Sequence, residues 1–422
     1  MRTLVITLIL FCCIIQFGFG QNIVCNFMRF ELVPIQESDT SAVGLKYRIN
    51  VNMDLSVSNM SDDTVVLKTN VKISQGLGPE NLIANRKDKT CIIPLPSWVE
   101  NRVQEQPFMD TQFLYILIPD KEDSNLLVSY DVIGTGLFFY IQQLNYPDVF
   151  VYPFDYEYIY PIGIPINKIE VTAPDSMKIF YSHKKGTNMN EEITLSFINK
   201  KYFQEENLKI KDIKINIFTP DSLVNDTSLI QRKKELQTYI NTLSPYTTKK
   251  EEIDILLLNW RDEKNRNAFG RVFGNLCICD YKFAANSLFH EVLHIIFPSK
   301  VEAFTKGEYF IKESIIEWLT LYLSQRLDKI DMTLKLGDQN LYDTHINDIT
   351  TWKLIYNIGP MILQKIAKNE QVGEERLAKV IIDFLQEREG RITDYVDFIS
   401  YLEKYVPFEI AQELDSIVKG LL

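Results

Sequence analysis

Histidine is scarce in this chain: four occur in 422 residues, His183, His290, His294 and His345. Any close pair among them is therefore informative. Beyond the first twenty residues no apolar run approaches the roughly 18–20 residues that a membrane-spanning helix requires. Positive charge is also in deficit, with 45 Lys and Arg against 56 Asp and Glu and a net charge of −11. The basic pair Lys249-Lys250 is followed at once by Glu251-Glu252, so no basic run builds up. This acidity argues weakly against nucleic acid or anionic membrane as a partner, because phosphate binding needs clustered Lys and Arg. The six cysteines include no doubled Cys-x-x-Cys arrangement, which excludes a cysteine-only zinc fold. Repeats and low-complexity tracts are missing, and the 46% hydrophobic, 24% charged composition is that of a globular protein. The length allows two domains.

The first residues read as an export signal. Met1-Arg2 precedes an apolar stretch from Thr3 to Ile15, and Gly18-Phe19-Gly20 places small residues at the −3 and −1 positions, which fits cleavage near Gly20-Gln21. The expected localisation is periplasmic or extracellular. Oligomeric state has no signature in the sequence. Of the four cysteines left after cleavage, Cys25 and Cys91 form the natural candidate disulfide. Cys277 and Cys279, two apart, read as strand-packing residues.

Two histidines fall in His290-Glu291-Val292-Leu293-His294. Four residues apart on a helix, they project from one face about 5–6 Å apart, a spacing that suits one metal ion. Apolar residues from Leu288 to Phe297 surround them, so the helix should be buried. Asn286 or Ser287 would cap its start and Pro298 would end it. Burying unpaired imidazoles costs roughly 2–7 kcal/mol per polar group, and a metal removes that cost. Catalytic zinc takes three protein ligands and leaves one position open. The third must come from residues beyond Pro298. Glu302 and Glu308 lie in a connecting loop, whereas Glu313 and Glu317 share one face of an apolar helix over Ile311–Leu323. We assign Glu313 as the ligand and Glu317 as acceptor of the spare ring N–H of a ligating histidine.

His-Glu-x-x-His followed after eighteen residues by Glu313 resembles the gluzincin zinc metallopeptidases, and within them the aminopeptidase N-like family. The resemblance implies one Zn²⁺ per chain on His290, His294 and Glu313, and a peptide or protein substrate. It implies hydrolysis of peptide bonds by a zinc-activated water with Glu291 as general base. Tyr356-Asn357-Ile358-Gly359-Pro360-Met361 resembles the family's Tyr-x-Lys-Gly segment, with Ile358 in place of lysine, and so implies Tyr356 as the catalytic oxyanion donor. His345 is a second candidate for that role. The family's Gly-x-Met-Glu-Asn strand has no match. Its place falls in Arg271–Asp280, read as an edge strand able to pair with a substrate backbone through Gly274, Asn275 and Leu276, and no glutamate occurs there. Two alternatives share these features: a non-catalytic zinc-binding scaffold, and a zinc hydrolase acting on an ester or epoxide.

Alternating segments such as Lys46–Met53, Thr64–Val71 and Leu126–Val132 mark residues 21–219 as β-rich. From about Asp226 the pattern becomes mixed and then helical, with helices expected at 351–368, 374–388, 393–404 and 408–420. The expected fold class is α+β: a β-sandwich-like domain after the signal peptide at 1–20, then a thermolysin-like catalytic domain at 220–422 whose carboxyl-terminal part is mostly helical.

Overall fold

The computed structural model describes residues 22–34, 47–58, 64–69, 82–83, 85–87, 90–94, 112–117, 124–132, 149–153, 159–160, 166–184, 192–243, 245–246, 251–258, 270–282, 284–297, 300–301, 305–335, 340–344, 349–388 and 392–421. The expected signal peptide and His345 lie outside them. The chain divides into two compact units, 1–201 and 202–422. Among the described residues, no helix is long and apolar enough to cross a membrane.

Among the described residues the first unit contains three sheets. The largest has six strands in the order Ile169–Thr172, Asn22–Pro34, Tyr47–Ser58, Ser124–Val132, Thr90–Pro94 and Asn85–Lys87. Tyr47–Ser58 shows why it forms: Ile49, Val51, Met53, Leu55 and Val57 are buried while Asn50, Asn52, Asp54 and Ser56 between them are only partly so. Such period-two patterning fixes the register, because a one-residue slip would turn every apolar side chain outward. That register overturns the expected Cys25–Cys91 disulfide. Cys25 pairs with Leu55, Leu55 with Leu126, and Leu126 with Cys91. The two cysteines thus stand three strand spacings apart, roughly 14 Å, and a disulfide requires Cα atoms within about 7 Å.

In the second unit a five-stranded sheet runs Phe203–Ile210, Ile213–Pro220, Glu251–Leu258, Leu276–Asp280, Gly270–Phe273. The first two strands begin before residue 220, yet Ile213–Phe218 pairs in parallel with Glu251–Leu256. Hydrogen bonding therefore places them in this unit. Helix α1 (Thr227–Leu243), α2 (Ala285–Ile296) and α3 (Ile315–Leu323) follow. Next come α4 (Ile349–Lys353), α5 (Gly359–Ala367), α6 (Glu374–Glu387), α7 (Tyr395–Tyr405) and α8 (Phe408–Val418). One apolar core joins Ile215, Ile255 and Cys277 of the sheet to Phe289, Trp318, Ile362, Phe384 and Leu414 of the helices. The architecture is a mixed α and β chain with sheets first and helices towards the carboxyl end.

Two details depart from expectation. Arg271–Asp280 is not one strand. Gly270–Phe273 and Leu276–Asp280 pair antiparallel about a turn at Gly274-Asn275, where Gly274 has φ +58°, a left-handed conformation that glycine adopts without strain. Helix α2 has Ala284 as its N-cap and so no side-chain cap; the amide oxygen of Asn286, one expected cap, accepts instead from Arg326 Nη1 at 3.0 Å.

Candidate metal centre

Helix α2 is buried on most of its circumference, through Leu288, Phe289, Val292, Leu293, Ile295 and Ile296. It packs against α1, where Phe289 meets Tyr239 with ring centroids 5.7 Å apart, and against α3 and the Gly270–Phe273 strand. His290 is 5% exposed, and His294 one turn later is half-buried. Glu313 comes from the segment before α3, where Phe310–Ser314 forms a π-helical turn. A second π-turn, Leu354–Ile358, joins α4 to α5 and carries Tyr356. Such turns insert one residue into a helix and recur at functional sites. Both were missed by periodicity, which sees only that apolar residues recur.

Three ligand-type atoms converge. His294 Nε2 lies 3.0 Å from His290 Nε2, and Glu313 Oε2 lies 3.3 Å from His290 Nε2 and 3.4 Å from His294 Nε2. A tetrahedral ion with bonds of about 2.0–2.1 Å spaces its ligand atoms roughly 3.3 Å apart, so this triangle and its two-imidazole, one-carboxylate donor set fit zinc. His290, His294 and Glu313 are the one such grouping among the described residues. Glu317 Oε2 lies 2.9 Å from His290 Nδ1. Its carboxylate accepts that ring proton, so Nε2 is the ring nitrogen that faces the triangle.

The electrostatics follow from burial and close charge. Burial alone would lower the pKa of His290, but the bonds and charges of Glu313 and Glu317 outweigh it and push the value up to about 10. For Glu313, burial acts upward and is overcome by the charge of His294 and the bonds to both histidines, so its carboxyl sits well below the usual range. A cation at the triangle would take over the role that the histidine proton plays there. Tyr356 Oη donates to Glu313 Oε2 at 2.8 Å. Its phenol is raised far above the ordinary value, first by burial and then by the charge of Glu313, with Glu291 and Glu317 adding. The phenol is thus held in its protonated, donating form.

Glu291 is half-buried and lies against the sheet edge. A Cβ added to Gly270 would come within 2.8 Å of Glu291 Cγ and 3.1 Å of Cys279 Sγ. Gly270 was not singled out in the sequence; the signal lies in the close approach, which only the fold creates. Cys277 and Cys279 share the face that packs on α2. Their mutual hydrogen bond and burial raise Cys277 well above the ordinary thiol value, and burial raises Cys279, so both are neutral. Asp280, one residue on, lies by strand alternation on the opposite face with Leu276 and Ile278.

Gly274, Asn275 and Leu276, expected as the substrate-pairing edge, do not form it. Gly274 and Asn275 make the turn, and Leu276 opens an inner strand whose five residues are all buried. Among the described residues the sheet ends at Gly270–Phe273. His183 lies in the first unit, on Met177–Lys184. Trp352, also not singled out, stacks on Tyr356 with centroids 5.1 Å apart and planes at 11°.

No protein-family profile and no curated protein matches the chain. Solved structures of similar fold do. An M1 zinc metallopeptidase from Deinococcus radiodurans has 13% identity and a TM-score of 0.53, with 94% of each chain covered. A mutant of that enzyme bound to a Tyr-Ser-Ala substrate has a TM-score of 0.51 at 13% identity, again over 94% of each chain. An aminopeptidase N family protein from Idiomarina loihiensis gives 0.57 at 12% identity, over 93% of this chain and 76% of that one. At these identities the likeness is one of fold: two-domain M1 peptidases share the architecture of this chain.

Proposed function

We propose that the protein is a zinc-dependent peptidase of gluzincin type, exported after removal of residues 1–20, with a thermolysin-like catalytic unit. One observation carries the reading: the triangle of His290, His294 and Glu313 has the edge lengths of a tetrahedral zinc site, inside a fold shared with M1 zinc metallopeptidases. When bound, zinc supplies a Lewis acid that polarises a peptide carbonyl and makes an attacking water acidic near neutral pH.

The chain's own residues do the rest. Glu291, next to His290 and braced against Gly270, takes a proton from the attacking water and returns it to the leaving amine. Tyr356 keeps its proton and donates to the oxyanion, a contribution of roughly 2.7–4 kcal/mol if it acts as other such donors do. Glu317 holds the His290 ring in one tautomer. The edge strand Gly270–Phe273 replaces Gly274–Leu276 as the element that pairs with the substrate backbone. It contains no carboxylate, and Asp280 faces the other side of the sheet, so recognition of a free amino terminus has no acid on this strand.

The test is metal analysis joined to peptide cleavage. Purified mature protein should hold close to one zinc, His294→Ala should lose most of it, and a mixed peptide library should be cleaved with little difference between free and acetylated amino termini. A wild type that stays metal-free after reconstitution with zinc sinks the reading. Cleavage abolished by acetylation would retain the peptidase and overturn its specificity.

A further inference from the structure

The two π-turns of the site are not independent. In the turn at Leu354–Ile358 the Gly359 N–H bonds the Leu354 carbonyl, the i to i+5 register. One step on, the Ile355 carbonyl would need the N–H of residue 360, which is Pro360 and has none. A buried carbonyl left without a donor is costly, and Ile355 is fully buried. The donor comes from the other π-turn: Ser314 Oγ bonds the Ile355 carbonyl at 2.7 Å. Ser314 is the residue after Glu313, and Ile355 is the residue before Tyr356. The bond therefore ties together the backbones that present the metal-facing carboxylate and the phenol that donates to it at 2.8 Å.

Gly359 makes the approach possible. A Cβ there would lie 2.1 Å from Ser314 Oγ and 2.4 Å from Ser314 Cβ, yet 3.6 Å from Ser314 Cα. The backbone at Gly359, φ −57° and ψ −53°, is ordinary helix that alanine adopts readily. The missing side chain serves space and not conformation.

We propose that Ser314 and Gly359 are positioning residues that hold Tyr356 beside Glu313 in the resting site, the position from which its single O–H turns from the carboxylate to the oxyanion when substrate is bound. The inference rests on the zinc-peptidase reading of the site.

The contact distances supply a swap test on the full mature chain. Gly359→Ala should drive the turns apart. A crystal structure of the metal-free variant should then show Tyr356 Oη out of hydrogen-bond reach of Glu313. Zinc affinity, read by competition with a chromophoric chelator, should fall about 10–100-fold, as for loss of other groups that orient a ligand. Peptide turnover should fall about 100-fold in kcat with little change in KM, the signature of misplacement rather than lost binding. Combining Gly359→Ala with Ser314→Gly leaves the backbone Cα of residue 314, at 3.6 Å, as the nearest of these atoms to the new methyl, and should restore the Tyr356–Glu313 bond and bring zinc affinity back to the Ser314→Ala level, since both lack the hydroxyl. Ser314→Ala keeps the spacing but removes the hydroxyl, and should lower both zinc affinity and kcat by less than Gly359→Ala. The proposal is overturned if Gly359→Ala keeps the Tyr356 bond and wild-type zinc affinity, or if the swap restores neither. Should Gly359→Ala fail to fold, the swap and Ser314→Ala decide on the same readouts. A wild type without zinc or peptidase activity would refute the function, while the Tyr356–Glu313 separations would still decide the positioning.

Discussion

The large sheet of the first unit and the sheet of the second solve the same packing problem with different tolerances for polarity. Along Ile49–Ser58 every second residue is buried and the residues between are polar and partly exposed. Along Leu276–Asp280 all five residues are buried, and Glu251–Leu258 ends in four buried residues. A polar group on the first sheet has water for a partner. A polar group in the second core costs several kcal/mol if it is left unpaired, and those around the candidate metal centre are paired. His290 has Glu317, Ser314 has the Ile355 carbonyl, Tyr356 has Glu313, and the Trp318 indole has Gln364 at 2.9 Å. The difference teaches where to look for chemistry: not where polar residues are common, but where buried ones gather and pair with one another.

The largest expected effect tests whether that accounting is functional. Glu291→Gln should keep zinc and fold while peptide turnover drops about 10²–10⁴-fold, since only the general base is removed. Turnover equal to wild type on a peptide the wild type cleaves would show that Glu291 is not the base. Next in size is the contrast between the sheets themselves. In the first, Phe30→Ala should cost about 3–5 kcal/mol while its exposed neighbour Glu31→Ala stays within about 0.5 kcal/mol. In the second, Ile278→Ala should cost about 2–5 kcal/mol, and Cys277→Ala beside it should also be clearly destabilising. Urea denaturation reads all four; a neutral Cys277→Ala would erase the contrast.

A smaller effect separates the two acids of the site. Glu313→Ala should remove most zinc binding, whereas Glu317→Ala should weaken it about 10–100-fold, as measured by chelator competition; the reverse order would reassign the ligand. The smallest lies at the surface of the helical part. Arg388 Nε and Nη2 bond the Asp397 carboxylate at 2.7 and 3.0 Å, and this bond holds Asp397 below its ordinary value of 3.8. With the folded-state value below the unfolded one, the stabilisation is present above pH 3.8 and is lost as pH falls through the lower value. Asp397→Asn should therefore destabilise at pH 7, by no more than about 1 kcal/mol for so exposed a pair, and by less near pH 3. An equal penalty at both pH values would assign the effect to packing.

Much of the second unit was legible because its patterns are local. The helices expected at 374–388, 393–404 and 408–420 appear as α6, α7 and α8, since turn signals at Gly373, Gly390 and Pro407 bound their apolar periodicity. The sequence spacing also proposed His290, His294 and Glu313, which the structure brings together; four residues along a helix is a geometric statement by itself. Arg271–Asp280 misled because one apolar run can hide a hairpin, and Gly274-Asn275 was the turn signal that went unread. Cys25 and Cys91 misled because proximity in sequence region says nothing about how many strands intervene.

By itself, then, the sequence determined what depends on neighbours along the chain: the two-histidine helix face, the Glu313 and Glu317 pair on one face, the alternating strands of the first unit and the helical tail. Only the tertiary structure decided which atoms meet across it. Glu317 reaches His290 from 27 residues away and Tyr356 reaches Glu313 from 43. Ser314 answers a carbonyl 41 residues on that Pro360 leaves without a donor, and Gly270 leaves room for Glu291. Local spacing sets direction along an element, but distance between elements depends on how closely their side chains allow them to pack, and that is a property of the whole core.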